Sequence, residues 1–489
     1  MRIITVILLL IFSASSIAED LSDQYYCDID TLKTIDYSAD MAGYYQDDYD
    51  VIFPKWLAKA KSGDKKYQFY IAKTYQYGQG VAQNKKSALE WYTKSSDQGY
   101  AVAKNNLAFF YSDGEILDID LDKHFSLFCD AASRGLSLAT LNIAFLYFNL
   151  VDANDRRVFK WMLKASLQGN VNAQSELGLL YYNGSGGALQ STTKALEWIQ
   201  KSATQGNIYA QNNLGWMYQN GDGVTQSYKA ASEWYQKSAE QGYDIAQGNL
   251  AYLYLNGLGV IANADKAFEW FEKSSIQGNL YAKTNLAWLY QEGLGVPQDY
   301  IKAYALYQLP AESGDPLAQN NLGLLYEAGK GVSQNYEKAF SWFEKSANQG
   351  NSYAQSNLGD FYENGKGVSQ NYEKAFSWYI KAAEQGNDIG QYNLGLLYYK
   401  GLGVKKDFKQ SIEWSTKSAK QGNKFAMQSL GLIYLYDLND SDMAFSWFEL
   451  GVKSGNNESA FSLGLAYSDK ERPYYDIQLA IKYLEIAYE

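Results

Sequence analysis

The chain has 489 residues, too many for one ordinary hydrophobic core, so it must form several domains or a repeat array. Its 43 basic and 54 acidic residues give a formal net charge of −11, which argues against nucleic acid or an anionic membrane surface as partner. The one histidine, His124, leaves no room for multi-histidine metal sites or most histidine-based triads, and no cofactor is implied.

Residues 1–18 read as a signal peptide. Arg2 is a short basic start, Ile3 to Phe12 is an apolar run too short to span a bilayer, and Ser16-Ile17-Ala18 offers small residues for cleavage before Glu19. No later stretch is long enough to span a membrane, so a secreted or periplasmic protein is expected. Residues 19–50 carry ten acidic residues against one lysine and form an acidic N-terminal segment. Two cysteines are present, Cys27 and Cys129. In an oxidising compartment they could pair; the alternative is two free or buried thiols.

From residue 51 one glycine recurs: Gly63, Gly99, Gly135, Gly169, Gly206, Gly242, Gly278, Gly314, Gly350, Gly386, Gly422 and Gly455, mostly 36 residues apart. Fixed self-similarity at this period marks a solenoid of stacked units. Eight residues after each glycine stands Leu or Ile, nine after it Gly or Ala, and twelve after it Tyr. In residues 243–278, Ala246, Leu250, Leu253 and Tyr254 share one face of a first helix. Gly257 is expected to cap it in the left-handed conformation, and Asn279 to open the next first helix. Ala267, Trp270, Phe271 and Ser274 share a face of the second helix. Nine of the twelve tryptophans stand eight before the repeat glycine, and this regularity assigns them to the core between repeats.

The strings LGWMYQNGDGV (214–224) and AASEWYQKSAEQG (230–242), with their copies, resemble the Sel1-like repeat family, a relative of the tetratricopeptide repeats. The resemblance covers about residues 55–489. It implies an all-α fold, a right-handed α-solenoid of about twelve helix-turn-helix repeats of 36 residues. It also implies a scaffold or adaptor for other proteins and, in secreted bacterial members, a role in the envelope or in host interaction. Residues 51–169 are partly degenerate repeats, 170–422 regular ones, and 423–489 degenerate capping ones that lose the Gly-x-Gly turn. Gly329–Trp342 and Gly365–Trp378 are the same fourteen residues, pointing to duplication.

A partner-binding stripe is expected on the first helices, three, seven and ten residues after the repeat glycine, since these offsets share one helical side. Its members include Tyr209, Asn213, Trp216, Asn249, Tyr252, Tyr281, Asn285, Trp288, Asn321, Tyr353 and Asn357. Amides can pair with any peptide backbone, and exposed aromatics supply contact area at low entropic cost. The expected partner is therefore another protein, held as an extended segment. The competing reading has each Asn bonded to the next repeat's backbone, with the aromatics filling in.

Catalysis is not expected. Asp118, Asp120 and Asp122 before His124 fail as a calcium loop, because Lys123 stands where glycine belongs. Two Ser-x-x-Lys strings, Ser62–Lys65 and Ser191–Lys194, lack the companion motifs of penicillin-binding hydrolases. The alternatives kept open are a binder of glycan or peptidoglycan fragments and a low-activity β-lactamase-like hydrolase.

Overall fold

The computed structural model describes residues 27, 44, 48–150, 155–470 and 474–488. The expected signal peptide and most of the acidic segment thus lie outside the described residues, which contain twenty-five α-helices and no strand. A leading helix, α1 (Tyr49–Lys61), precedes twelve hairpins. The first helices of the hairpins are α2 (Lys65–Tyr77), α4 (Ala101–Phe110), α6 (Ser137–Leu150), α8 (Val171–Asn183), α10 (Ile208–Asn220), α12 (Asp244–Asn256), α14 (Leu280–Glu292), α16 (Pro316–Ala328), α18 (Ser352–Asn364), α20 (Asp388–Lys400), α22 (Lys424–Leu432) and α24 (Asn457–Ser468). The second helices are α3 (Lys85–Asp97), α5 (Leu121–Ser133), α7 (Arg156–Leu167), α9 (Thr192–Thr204), α11 (Tyr228–Glu240), α13 (Ala264–Ile276), α15 (Tyr300–Glu312), α17 (Tyr336–Asn348), α19 (Tyr372–Glu384), α21 (Phe408–Lys420), α23 (Ser441–Lys453) and α25 (Ile477–Tyr488). The chain divides into two units, residues 1–262 and 263–489. Within each, every helix packs on those before and after it in sequence, the arrangement of an α-solenoid.

The repeat's punctuation builds the hairpins. Asn207, Asn279 and Asn351 each begin a first helix by accepting the backbone N–H three residues on, satisfying an otherwise orphan donor. Gly257, φ +65°, ends α12 in the expected left-handed cap. The second glycine of the Gly-x-Gly turn has a different reason. A Cβ on Gly331 would lie 2.1 Å from the Tyr300 carbonyl oxygen, because the turn seats directly on the backbone at the start of the preceding second helix.

The core position of the second helix differs from the one the sequence suggested. Of the nine regularly spaced tryptophans only Trp161 is fully buried; the others are half-buried. The next residue along fills the core: Tyr92, Phe128, Tyr235, Phe271, Tyr307, Phe343, Tyr379 and Phe448 are all essentially inaccessible. Each ring needs a socket. A Cβ on Gly215, Gly323 or Gly359 would lie 2.7, 2.6 or 2.6 Å from Tyr235, Phe343 or Tyr379, which is why these first helices keep Gly nine residues after the repeat glycine. Seven of the half-buried tryptophans pack at the margin with the lysine three residues on laid across the ring. Lys237 stands 3.9 Å from the Trp234 centroid and Lys381 3.9 Å from that of Trp378. Each such contact contributes about 0.5–1 kcal/mol at an exposed site. One tryptophan thus joins an apolar edge to a charged surface.

A buried glutamine relay joins the hairpins. Gln355 Nε2 donates to the Ala347 carbonyl of the preceding helix, and its Oε1 accepts from Gln385 Nε2 of the following one. Gln211 does the same between Ala203 and Gln241. One side chain so ties three successive helices, using both ends of the amide.

In the hairpin of α20 and α21 the ring position is taken by Ser415. The Ser415 and Ser411 hydroxyls are buried without a hydrogen-bond partner among the described residues. Removing a buried unpaired hydroxyl relieves desolvation at little loss of packing. Ser415→Ala is therefore expected to raise stability by about 1 kcal/mol, seen as a higher urea midpoint. A lower midpoint would mean that the hydroxyl is bonded in solution.

Candidate functional site

Chemistry-bearing residues outside the first-helix stripe serve the helices. Asp120 is the N-cap of α5, accepting from the Lys123 N–H. His124 is buried with Nδ1 2.7 Å from the Ala108 carbonyl oxygen and its ring against Phe128; burial pushes its pKa down. Ser191 caps α9 by accepting the Lys194 N–H, while the Lys194 ammonium lies over the Tyr181 ring. Ser62 ends α1 and donates to the Lys59 carbonyl. No helix among the described residues is long and apolar enough to cross a membrane. Cys27 and Cys129 are joined by a disulfide, their Cα atoms 5.8 Å apart.

The stripe on the first helices has three tiers. The outer tier, three residues after the repeat glycine, is apolar and exposed at its seven members from Tyr209 to Phe425. In the first unit it holds Tyr209, 54% exposed and edge-on to Tyr243 at 5.1 Å, and Ile245. In the second unit it holds five successive members: Tyr281, Leu317, Tyr353, Ile389 and Phe425, with Tyr353 58% exposed. Burying that row would be favourable, and nothing among the described residues does so. The sequence reading had Tyr209, Tyr281 and Tyr353; Leu317, Ile389 and Phe425 complete the row.

The upper tier, ten residues after the glycine, is less uniform. Trp216 is 40% exposed and stands edge-on to Tyr182 at 5.6 Å, whose hydroxyl donates to Asp222 Oδ2 at 3.2 Å. Tyr252 is exposed and Trp288 is half-buried. In the second unit the tier turns acidic at Asp360, where Lys366 bridges Asp360 Oδ2 at 2.8 Å and Glu327 Oε1 at 3.0 Å. Burial pulls the Lys366 ammonium down, but the two carboxylates outweigh it and hold it at about 12.

The middle tier is a ladder of half-buried amides whose partners are side chains, in the main, rather than the next repeat's backbone. Asn249 Nδ2 donates to Asn212 Oδ1 at 3.0 Å, Asn357 Nδ2 to Asn320 Oδ1 at 3.0 Å, and Asn142 Nδ2 to Asn105 Oδ1 at 2.8 Å. Each rung therefore runs from one first helix to the next. Asn321 and Asn106 donate instead to the Tyr307 and Tyr92 hydroxyls, which cross the core from the second helix. Burial pushes both phenols well up. Asn285 bonds within its own helix, to the Tyr281 carbonyl. Asn213 makes no side-chain bond among the described residues. The sequence reading missed one member: Glu176 of α8 stands where eight other repeats from Asn106 to Asn393 carry Asn. It was visible as the single exception in that series. Its carboxylate is half-buried, and burial pushes its pKa up.

Stacked helical hairpins with an outward side-chain ladder and no separate domain among the described residues are the build of an interaction scaffold. The chain belongs to the Sel1 repeat family: the family's repeat matches residues 66–100, 137–170, 171–207, 208–243, 244–279, 280–315, 316–351, 352–387, 389–423, 425–456 and 457–489. Among solved structures it is similar to c5321, a protective antigen present in uropathogenic Escherichia coli strains and displaying an SLR fold. The two are 32% identical with a TM-score of 0.70 over 89% of this chain and 94% of that one. A Sel1 repeat protein from Oxalobacter formigenes is 30% identical over 50% of this chain and 96% of that one, with a TM-score of 0.47. A sel1-like repeat-containing protein of Acanthamoeba polyphaga mimivirus is 34% identical over 133 residues, 27% of this chain; the match spans 24% of the viral protein.

Proposed function

We propose that this protein is a non-catalytic, exported binding scaffold that holds an extended segment of another protein across its first helices. The observation that carries the reading is the exposed apolar outer tier, repeated at one offset through five successive first helices of the second unit and bordered by amides. Packed helices stand about 8–10 Å apart. Three residues of extended chain, at about 3.3 Å each, cover that step. A strand laid across the helices would meet one apolar contact and one amide per repeat. Export is supported by the Cys27–Cys129 pair, a bond that persists in oxidising compartments, and by the description of c5321 as a protective antigen.

The test is affinity for peptides selected from a random displayed library, measured by fluorescence polarisation. Trp216→Ala in the first unit and Tyr353→Ala in the second remove exposed rings without touching the core. At least one is expected to weaken binding about tenfold, the effect of losing an anchor worth more than 1 kcal/mol. Binding unchanged by both would remove the first-helix face as the site.

A further inference from the structure

In the first unit two successive rungs, Glu176 and Asn213, lack a partner among the described residues, whereas Asn285 of the second unit turns to its own helix. A ladder residue has two sources of bonding: the residue six after the glycine in the preceding repeat, and the core phenol of the preceding second helix. Asn142 and Asn249 use the first, through Asn105 and Asn212, and Asn106 uses the second, through Tyr92. For Glu176 both positions are apolar, Leu141 and Met162. For the next rung, Asn213, they are Ser175 and Ile199. Among the described residues neither the Glu176 carboxylate nor the Asn213 amide has a hydrogen-bond or ionic partner.

Ser175 supplies a second observation. It is 2% exposed, and its hydroxyl has no hydrogen-bond partner among the described residues. It occupies the position from which Asn105 and Asn212 receive the next repeat's amide. A carboxylate, a buried hydroxyl and an amide, all unsatisfied, thus stand on adjacent rungs. An unpaired half-buried carboxylate is costly, and so is an unpaired buried hydroxyl. The contrast with Asp360 and Glu327 is direct: there the chain supplies its own cation, Lys366. Above the gap, on the same helical side, lie Tyr182 and the exposed Trp216, with Asp222 hydrogen-bonded to Tyr182. Acid at the floor and aromatic faces at the rim suit a guanidinium or ammonium group, which donates charge-assisted hydrogen bonds to carboxylates and stacks on indole.

We propose that Glu176, Ser175 and Asn213 form a subsite for the cationic side chain of an arginine or lysine in the bound segment, with Trp216 as its wall. This rests on the binding-scaffold reading and adds the chemistry of one partner residue.

The probes are three fluorescein-labelled nonapeptides of alternating Leu and Ala that differ only at the centre, Arg, Gln or Glu. They are measured by polarisation against the full chain and Glu176→Gln. The Arg peptide is expected to bind at least fivefold more tightly than the Gln peptide and to shift the Trp216 indole NMR resonance, assigned with Trp216→Phe. In Glu176→Gln the preference should fall to within twofold. That variant is isosteric and removes a desolvated charge, so it should melt no lower than the parent. If all three peptides bind alike, or if Glu176→Gln keeps the Arg preference, the subsite is wrong while the scaffold reading stands. If none of the three binds, the subsite is wrong and the first-helix face loses support as well.

Discussion

Phe343→Ala is expected to cost about 3–5 kcal/mol of the second unit's stability, the range for truncating a fully buried aromatic ring. The ring is inaccessible, sits in the Gly323 socket and meets Phe361 edge-on at 5.1 Å. Collapse into the void is resisted, because α17 and α18 are held at their starts by Asn335 and Asn351 and the stack is tied by Gln349 to Gln319. The converse variant, Gly323→Ala, would push a methyl to 2.6 Å from the ring and should cost about 1–3 kcal/mol. The two are coupled: in the double variant the added methyl enters space the ring has left, so the combined loss should fall short of the sum. Urea denaturation followed by circular dichroism reads all three. A loss under about 1 kcal/mol for Phe343→Ala would show that the ring is not a core contact. Since each hairpin is stabilised mainly by its neighbours, the damage should spread to adjacent repeats rather than stay local.

The fold was legible because its determinants recur. Positive-φ glycines, Asn caps and the Gly or Ala socket are backbone requirements, met in repeat after repeat and readable without any partner residue. The sequence put neighbours such as Trp270 and Phe271 on one face of the second helix without separating their depths, for a physical reason. Trp234 and Tyr235, or Trp378 and Tyr379, are neighbours in sequence, and both are large and apolar. Only the depth of the socket opposite, Gly215 or Gly359, decides which ring is swallowed and which stays at the edge under Lys237 or Lys381. The outer and upper tiers of the candidate site followed from helical spacing. The middle tier needed three dimensions, since whether Asn249 or Asn213 is satisfied depends on residues 37 or 38 positions earlier, Asn212 and Ser175, in a different helix. The glutamine relay was missed likewise: Gln355 and Gln385 are 30 residues apart and look like ordinary surface amides until the helices are stacked.

Reduction of the Cys27–Cys129 bond should release the start of the first unit. The bond spans 102 residues, a loop for which the chain-entropy account gives about 4–5 kcal/mol. Its effect does not rest on the bond alone. Tyr44 is buried against Trp56 and Tyr70, the Lys73 ammonium lies 4.1 Å from its ring centroid, and its hydroxyl donates to Gln79. Cys27 and Tyr44, before α1, are thus held by a covalent link to α5 and by an aromatic cluster on α1 and α2. Either Cys129→Ser or a phosphine reductant should raise amide exchange through α1 and α2 by several hundredfold or more where opening is global, the exponential of about 4 kcal/mol. Trp56 emission should move to the red, and exchange in α16 to α19 should stay unchanged. The alternative is two thiols. Titration of unfolded, unreduced protein would then find both, and reductant would leave exchange as it was. A terminal unit that depends on a disulfide confines full stability to an oxidising compartment, so exchange with and without reductant also probes where this chain is built to work.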